Sequence, residues 1–267
     1  MKQRILIIFI SLLTSKSSKS QFISGAKFTA LANASVALQD IWSANANASG
    51  LNQIKNVTGG ISYENRFSVS ELSGKAAIIA IPFKNYIVGI NFQNYGIQEF
   101  GSIKSGMSLT KNFGSKFSTA IRLNYHRLHI ENYESEMAFS VDCGMQVQVA
   151  SRIRLGAHIA NPNQSSFKRI QDQSIESHIR FGGFIGISDK LSTCAEIEKS
   201  NNKSLDYKMG IDYQIANFFA LRGGISVNSF RQYGGFGINH KSLAVDFAVS
   251  NHKYLGYSPQ LALAYEF

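Results

Sequence analysis

The feature that most constrains this chain is a two-residue rhythm that begins near Val57 and runs to Phe267. Runs of about ten residues alternate apolar with small or polar side chains and are broken by short turns. Over 137–150 one face reads Met137, Phe139, Val141, Cys143, Met145, Val147 and Val149, and the other Ala138, Ser140, Asp142, Gly144, Gln146 and Gln148. Over 205–215, Leu205, Tyr207, Met209, Ile211, Tyr213 and Ile215 alternate with Asp206, Lys208, Gly210, Asp212 and Gln214. Strict alternation of this length is the signature of strands with two unlike faces, and no helical period fits it. The pattern predicts strands near 57–70, 74–83, 86–98, 104–112, 117–131, 136–150 and 152–161. Seven more follow near 175–188, 190–199, 204–215, 217–228, 232–240, 242–251 and 257–267.

A soluble β-sandwich also alternates, but its strands are typically five or six residues long. These are about twice that, the length that crosses a bilayer at a tilt. Two packed sheets would leave four edges to protect, whereas closure leaves none. Backbone groups in lipid have no water to bond, so a membrane sheet must close. Composition agrees: charged residues make up only 16% of the chain, against roughly 25% in soluble domains. Glycine occurs 22 times, and the 19 phenylalanines and 11 tyrosines spread apolar surface widely. The expected fold is all-β, a closed antiparallel transmembrane β-barrel of about 14 strands (residues 57–267). Its expected place is the outer membrane of a Gram-negative bacterium, in contact with outer-membrane lipid.

The first 20 residues read as a signal peptide: Lys2 and Arg4, the apolar run Ile5 to Leu13, and a small-x-small exit at Ser18-Lys19-Ser20. A run of nine residues is too short for a spanning helix, which needs about 20. Removing the peptide lowers the net charge from +10 to 23 − 17 = +6. Residues 21–56 differ from the rest, being alanine-rich and turn-ending, and predict a short helix and loop. A barrel of this size leaves a lumen its own side chains cannot fill. The segment, with Asp40, Trp42, Asn47, Gly50 and Leu51, is therefore expected to fold inward as a plug.

The polar faces are expected to line the lumen, with Arg122, Asp142, Arg154, His158, Asp206, Lys208, Asp212, Arg222, Asp246 and Glu266. Both signs are interleaved, which predicts a network of paired charges more readily than a selective permeation path. Basic residues in turns (Lys111, Lys116, Lys199, Lys203, Lys253) are explained by solvated rims and call for no nucleic acid. Cys143 and Cys194 fall on strands three apart, about 14 Å in a sheet, too far for a disulfide.

Catalytic signatures are lacking: no G-x-S-x-G, H-E-x-x-H or C-x-x-C occurs, and no cofactor or metal is implied. His126 and His129 point to opposite faces of one strand and cannot chelate together. The chain is expected not to be an enzyme. The pairs Gly182-Gly183, Gly223-Gly224 and Gly234-Gly235 precede no helix, and read as places where a small residue relieves crowding or bends the sheet.

The run "ASVALQDIWSANANASGLNQI" (34–54) resembles the N-terminal signature of the FadL-like and PorV/PorQ-like outer-membrane barrels, a variant of "D-x-W…N-P-A-G-L". Asp40, Trp42, Asn47, Gly50 and Leu51 keep that pattern, while Ala48 and Ser49 replace Pro-Ala. "HKYLGYSPQLALAYEF" (252–267) is similar to the closing hairpin of the PorV/PorQ-like proteins, and "NFQNYGIQEFG" (91–101) to their third strand and loop. The resemblance implies fourteen strands with the N-terminal segment inside. It also implies that Tyr265 and Phe267, on one face with Leu261 and Leu263, form the signal that the barrel assembly machinery recognises. PorV-like members act with type IX secretion or surface-attachment proteins, and FadL-like members pass hydrophobic molecules. The first expectation is thus an accessory or docking component of type IX secretion. The alternative is a FadL-like transporter with an apolar pocket between plug and wall, lined by Ile41, Trp42 and Leu51, and a lateral gap in one strand. A third class, a purely structural barrel without ligand, stays open.

Overall fold

The structure, a computed structural model, describes residues 25–97, 99–131, 135–167, 174–201, 204–228 and 230–267. The predicted signal peptide (1–20) and residues 21–24 of the predicted plug lie outside them. The alternating runs form strands β1 Thr58–Asn65, β2 Ser73–Phe83, β3 Tyr86–Gly96, β4 Phe100–Phe113, β5 Phe117–Ile130, β6 Glu136–Ala150 and β7 Ile153–Ala160. They continue as β8 His178–Gly186, β9 Leu191–Ser200, β10 Asp206–Ala216, β11 Phe219–Ser226, β12 Arg231–His240, β13 Leu243–His252 and β14 Gly256–Glu266. Each pairs antiparallel with its chain neighbour, and β1 pairs with β14 from Thr58↔Glu266 to Glu64↔Gln260. The sheet is a closed 14-stranded barrel. Closure satisfies every ladder and leaves no edge, as the length of the runs requires.

The two faces separate as the alternation predicts. On β6, Met137 is 62% exposed and points outward, whereas Ser140 is 2% exposed and points in. The exposed outer belt carries Ile61, Ile90, Met107, Leu123, Phe139, Ile211 and Leu261, a surface that water solvates poorly and lipid well. No described helix is long and apolar enough to cross a membrane; here the strands have the length and the outer face to do so.

The two ends of the barrel differ. At the end where β1 begins and β14 finishes, turns are tight, two residues at Lys84–Asn85, Ser151–Arg152, Asn217–Phe218 and Lys241–Ser242. Lys84 and Lys241 take the left-handed φ values (54° and 52°) that two-residue hairpins favour. The other end carries the longer connections, among them 66–72 and 161–177. Short turns on one side and long loops on the other are the pattern of bacterial outer-membrane barrels.

One strand is shorter than expected. β1, predicted over 57–70, stops at Asn65, and two 3-10 turns follow at Arg66–Ser68 and Ser70–Leu72. Phe67 and Ser68 adopt φ of 55° and 57°. The Phe67 N–H donates to Ser258 Oγ at 2.9 Å and the Ser68 hydroxyl to the Tyr257 carbonyl at 3.2 Å. These bonds to β14 fold the chain over the rim in place of further β1 ladder.

Residues 25–52 lie inside the wall. Helix α1 (Ala26–Ala30) packs against β11 to β14, and 3-10 turns at Ile41–Asn45 and Ala48–Gln53 pack against β1 to β6. Asp40 Oδ1 accepts from the Trp42 N–H at 3.3 Å, and Asn47 Oδ1 from the Ser49 N–H at 3.3 Å, so each turn has a side-chain cap. With two buried faces of alanine, Trp42, Phe28 and Leu51, this segment supplies most of the apolar core.

Leu123 sits mid-strand on the outer face at 54% exposure. Replacing it by lysine is expected to destabilise the barrel by about 2–4 kcal/mol, the cost of a cation at the bilayer midplane. Urea titration of barrels folded in phospholipid vesicles measures it; an unchanged midpoint would mean that this face does not meet lipid.

Candidate functional site

The inner segment has little secondary structure of its own, so its backbone polar groups need partners from the wall. The wall provides them as side chains. Gln146 Nε2 donates to the carbonyls of Val36 (3.0 Å) and Leu38 (2.9 Å). Thr110 Oγ1 donates to the Ala48 carbonyl (2.7 Å), Ser118 Oγ to that of Ser49 (3.0 Å) and Asn112 Nδ2 to that of Asn52 (3.2 Å). Arg154 Nε donates to the Ala37 carbonyl at 2.5 Å, and its Nη1 reaches Gln39 Oε1. Glu196 Oε2 accepts from the N–H groups of Ser35 and Val36, both at 2.8 Å. Asn47 works in reverse: its buried amide donates to Val36 (2.7 Å) and to the wall carbonyls of Met145 and Ala157 (3.3 Å).

Close approach needs room, and glycine makes it. A Cβ on Gly144 would collide with Asn47 Oδ1, and one on Gly156 with the Val36 carbonyl. At Gly210 it would lie 2.8 Å from Leu31 Cβ and at Gly224 2.7 Å from the Ala32 nitrogen; at Gly182 it would meet the Ala195 carbonyl of the wall (2.2 Å) as well as Val36 Cγ1 (2.9 Å), and at Gly235 the Phe247 carbonyl (2.3 Å) as well as Ala30 Cβ (2.8 Å). Six strands thus bare their backbone to the inner segment. In each glycine pair read from the sequence, one member (Gly182, Gly224, Gly235) faces that segment and the other (Gly183, Gly223, Gly234) faces outward.

All the predicted lumen charges lie on inward faces. Arg122 donates through Nε (3.0 Å) and Nη2 (2.5 Å) to Asp142 Oδ2, and through Nη1 to the Ala44 carbonyl. Arg222 bridges Asp212 (3.0 Å) and Asp246 (2.5 Å). Lys208 pairs with Glu198 (2.5 Å) and Glu196 (3.4 Å), and Asp206 accepts from Ser226 Oγ at 2.7 Å. His158 is buried, its Nδ1 3.0 Å from Arg180 Nη2. Glu266 sits at the exposed rim, where it accepts from Asn56 Nδ2 at 2.6 Å. Arg180, Glu196 and Glu198 join them on the inner face, as the parity of β8 and β9 requires. Within the inner segment, Lys27 donates to Asp40 at 2.6 Å. Burial is the largest influence on Lys27 and opposes its charge, but the charge and hydrogen bond of Asp40 and the charge of Asp246 together hold the ammonium pKa above its ordinary value.

Two expectations change. Ile41, Trp42 and Leu51 line neither of the two cavities described below. Trp42 is 1% exposed, its indole lying against Gly25 and within 3.3 Å of where a Gly60 Cβ would stand, and Leu51 fills the space left by Gly89. They belong to the packed core because glycines on the facing elements let them close the gap. No lateral gap opens there either, since all fourteen strand pairs are hydrogen-bonded. The two cysteines are free and on opposite faces, Cys143 outward and Cys194 inward. His126 bonds Ser140 inside the lumen and His129 bonds Ser135 outside it, both at 2.8 Å.

The open space lies elsewhere. Above the inner segment, toward the long loops, is a cavity of about 390 Å³ whose floor includes Ser35, Asn45, Arg122 and Asp142 and whose upper wall includes Phe67 and Phe100. A second space of about 220 Å³ lies between the segment and β7 to β10, beside Lys27, Arg154, Cys194 and Asp212.

No family model matches the sequence, and no curated protein matches it either. Solved structures match the fold. The toluene transporter TbuX of Ralstonia pickettii aligns over 91% of this chain and 98% of its own, with a TM-score of 0.67 and 10% identity. The toluene transporter TodX of Pseudomonas putida gives the same coverage, TM-score 0.67 and 10% identity. A Pseudomonas aeruginosa FadL homologue aligns over 91% and 98%, with TM-score 0.66 and 11% identity. The structural neighbours are thus FadL-family outer-membrane barrels, toluene transporters among them, and what is shared at this identity is the fold.

The glycine contacts carry a direct test. Gly144→Leu and Gly210→Leu are expected to expel the inner segment and convert a poorly conducting barrel into one with large, stable steps in planar bilayers. Gly234→Leu, where nothing lies within 4 Å of an added Cβ, serves as the control and leaves conductance unchanged. Large ohmic channels from the unaltered protein would contradict a sealed lumen.

Proposed function

We propose that the protein is a non-enzymatic outer-membrane barrel of the FadL-like transport type, admitting a small organic molecule from the long-loop side into the cavity above its plug. The observation that carries the reading is that cavity: about 390 Å³, floored by the inner segment and walled in part by Phe67, Tyr95, Phe100 and Leu128. It is within the size range of sites that enclose a small ligand. Outer-membrane placement rests on the apolar outer belt, the closed sheet and the unequal loops, and FadL-family neighbours support it. The docking role in type IX secretion rests on the resemblance at 34–54, 91–101 and 252–267 alone, and the structural neighbours, transporters of toluene among them, favour transport over it.

Ala160 lines the cavity and is buried. Ala160→Trp should fill it and slow uptake of small organic solutes into proteoliposomes by about fivefold or more. Uptake insensitive to this change, together with a secretion protein recovered at equal stoichiometry from outer membranes, would replace transport by docking.

We further propose that the assembly machinery reads Tyr265 and Phe267. Their rings meet edge to face at 4.9 Å, and Phe267 is 75% exposed. The double change Tyr265→Ser, Phe267→Ser is expected to lower the folded barrel recovered from cells while leaving refolding in detergent intact; equal loss in both would point to stability instead.

A further inference from the structure

The two rims of the barrel differ in charge as well as in loop length. Six hairpin turns close the short-turn end, and five of them carry a basic side chain: Lys84, Lys116, Arg152, Lys190 and Lys241. Lys55, just before β1, and Lys111, near the end of β4, add two more at the same level. Among the described residues two acids share this rim. Asp189 pairs with Arg152 at 2.7 Å, and Glu266 accepts from Asn56. No carboxylate of the described residues pairs with Lys55, Lys84, Lys111, Lys116, Lys190 or Lys241. At the long-loop end the signs are mixed, with Glu71, Glu99 and Glu131 beside Lys75, Arg127 and Lys253.

The cations stand directly beyond a band of rings on the outer face. Phe83, Tyr86, Phe113, Phe117 and Phe218 are exposed within or next to the short turns. Lys84 Nζ lies 5.5 Å from the centre of the Phe83 ring. Lys111 Nζ lies 5.4 Å from that of Tyr86 and 5.0 Å from that of Phe113. Aromatic side chains of a membrane barrel gather where hydrocarbon meets the head groups. A lysine stem running over such a ring leaves its ammonium at head-group height. Successive turns lie two strands apart, about 10 Å along the sheet, so the cations recur around most of the rim. A docked protein covers one sector, whereas a lipid leaflet meets the whole circumference.

We propose that the short-turn rim binds the phosphate head groups of anionic phospholipids in the periplasmic leaflet of the outer membrane. Short turns face the periplasm in bacterial barrels. The inference rests on the membrane placement given above and is independent of what the barrel transports. Exposed cations near an anionic surface are drawn to it, and six of the seven here have no carboxylate to neutralise them. Zwitterionic head groups carry no net charge and gain much less.

The test uses the purified full barrel in phosphatidylcholine bilayers with a trace of spin-labelled phosphatidylglycerol or spin-labelled phosphatidylcholine. Electron spin resonance separates lipid held at the protein from free lipid. Phosphatidylglycerol is expected to associate about threefold or more strongly than phosphatidylcholine at low salt. Salt at about 0.5 M should remove most of the difference, because exposed charges are then screened. The barrel carrying Lys84→Gln, Lys116→Gln, Lys190→Gln and Lys241→Gln is expected to lose about half of the preference or more. Lys75→Gln, Arg127→Gln and Lys253→Gln at the opposite rim should leave it in place. Folding of both variants is checked by heat-modifiable gel migration, and the salt dependence of the unaltered barrel tests the proposal without them. Equal association of the two lipids would overturn the proposal and leave the ring to an acidic periplasmic protein. A preference that survives salt or the four short-turn changes, or that falls with the three long-loop changes, would overturn it too. If neither lipid were held at the protein, the proposal would fall together with the membrane placement.

Discussion

The structure depends on one exchange: barrel side chains hydrogen-bond the backbone of the segment inside. A loop threaded through a lumen has carbonyls and amides that neither water nor its own helix turns can satisfy. Gln146, Arg122, Arg154, Thr110, Ser118 and Glu196, drawn from β4, β5, β6, β7 and β9, take that role. Hydrogen-bond range then dictates the rest. The wall must come close, so β6, β7, β8, β10, β11 and β12 each carry a glycine where the segment passes. The inward faces must be polar, so the lumen is charged and the apolar core is built from the segment's alanines and Trp42.

The lumen charges follow from the same constraint. An arginine that holds a plug carbonyl needs a counter-ion if it is buried, because an unpaired buried charge is costly. Arg122 therefore leans on Asp142 while it holds Ala44. Glu196 binds the Ser35 and Val36 amides and sits between Lys208 and Arg180. Each such group serves plug and wall together.

Much of this was legible in the alternation alone. Parity placed Arg122, Asp142, Lys208 and Asp246 inward, and Met137 and Leu261 outward, because a strand allows no third direction. Parity also held the signal for Glu196, Glu198 and Arg180. Other features turn on contacts far apart in the chain. β1 ends early because Ser258 and Tyr257, some 190 residues on, capture Phe67 and Ser68. Trp42, Ile41 and Leu51 have the composition of either a pocket lining or a core. Only the glycines at 25, 60 and 89, brought against Trp42 and Leu51 by the fold, decide for the core. A glycine pair signals room in a strand, but which partner fills that room is a property of register and threading.

The seam has a consequence of its own. β1 leaves the plug after only four residues, 54–57, and is also the strand that meets β14. At that junction the Phe267 N–H donates to the Val57 carbonyl at 2.9 Å, and Glu266 takes the Asn56 amide at 2.6 Å. The stretch that leads out of the plug is thus also a strand of the closing seam, so the plug is tethered by four residues to the one junction that joins the two ends of the sheet.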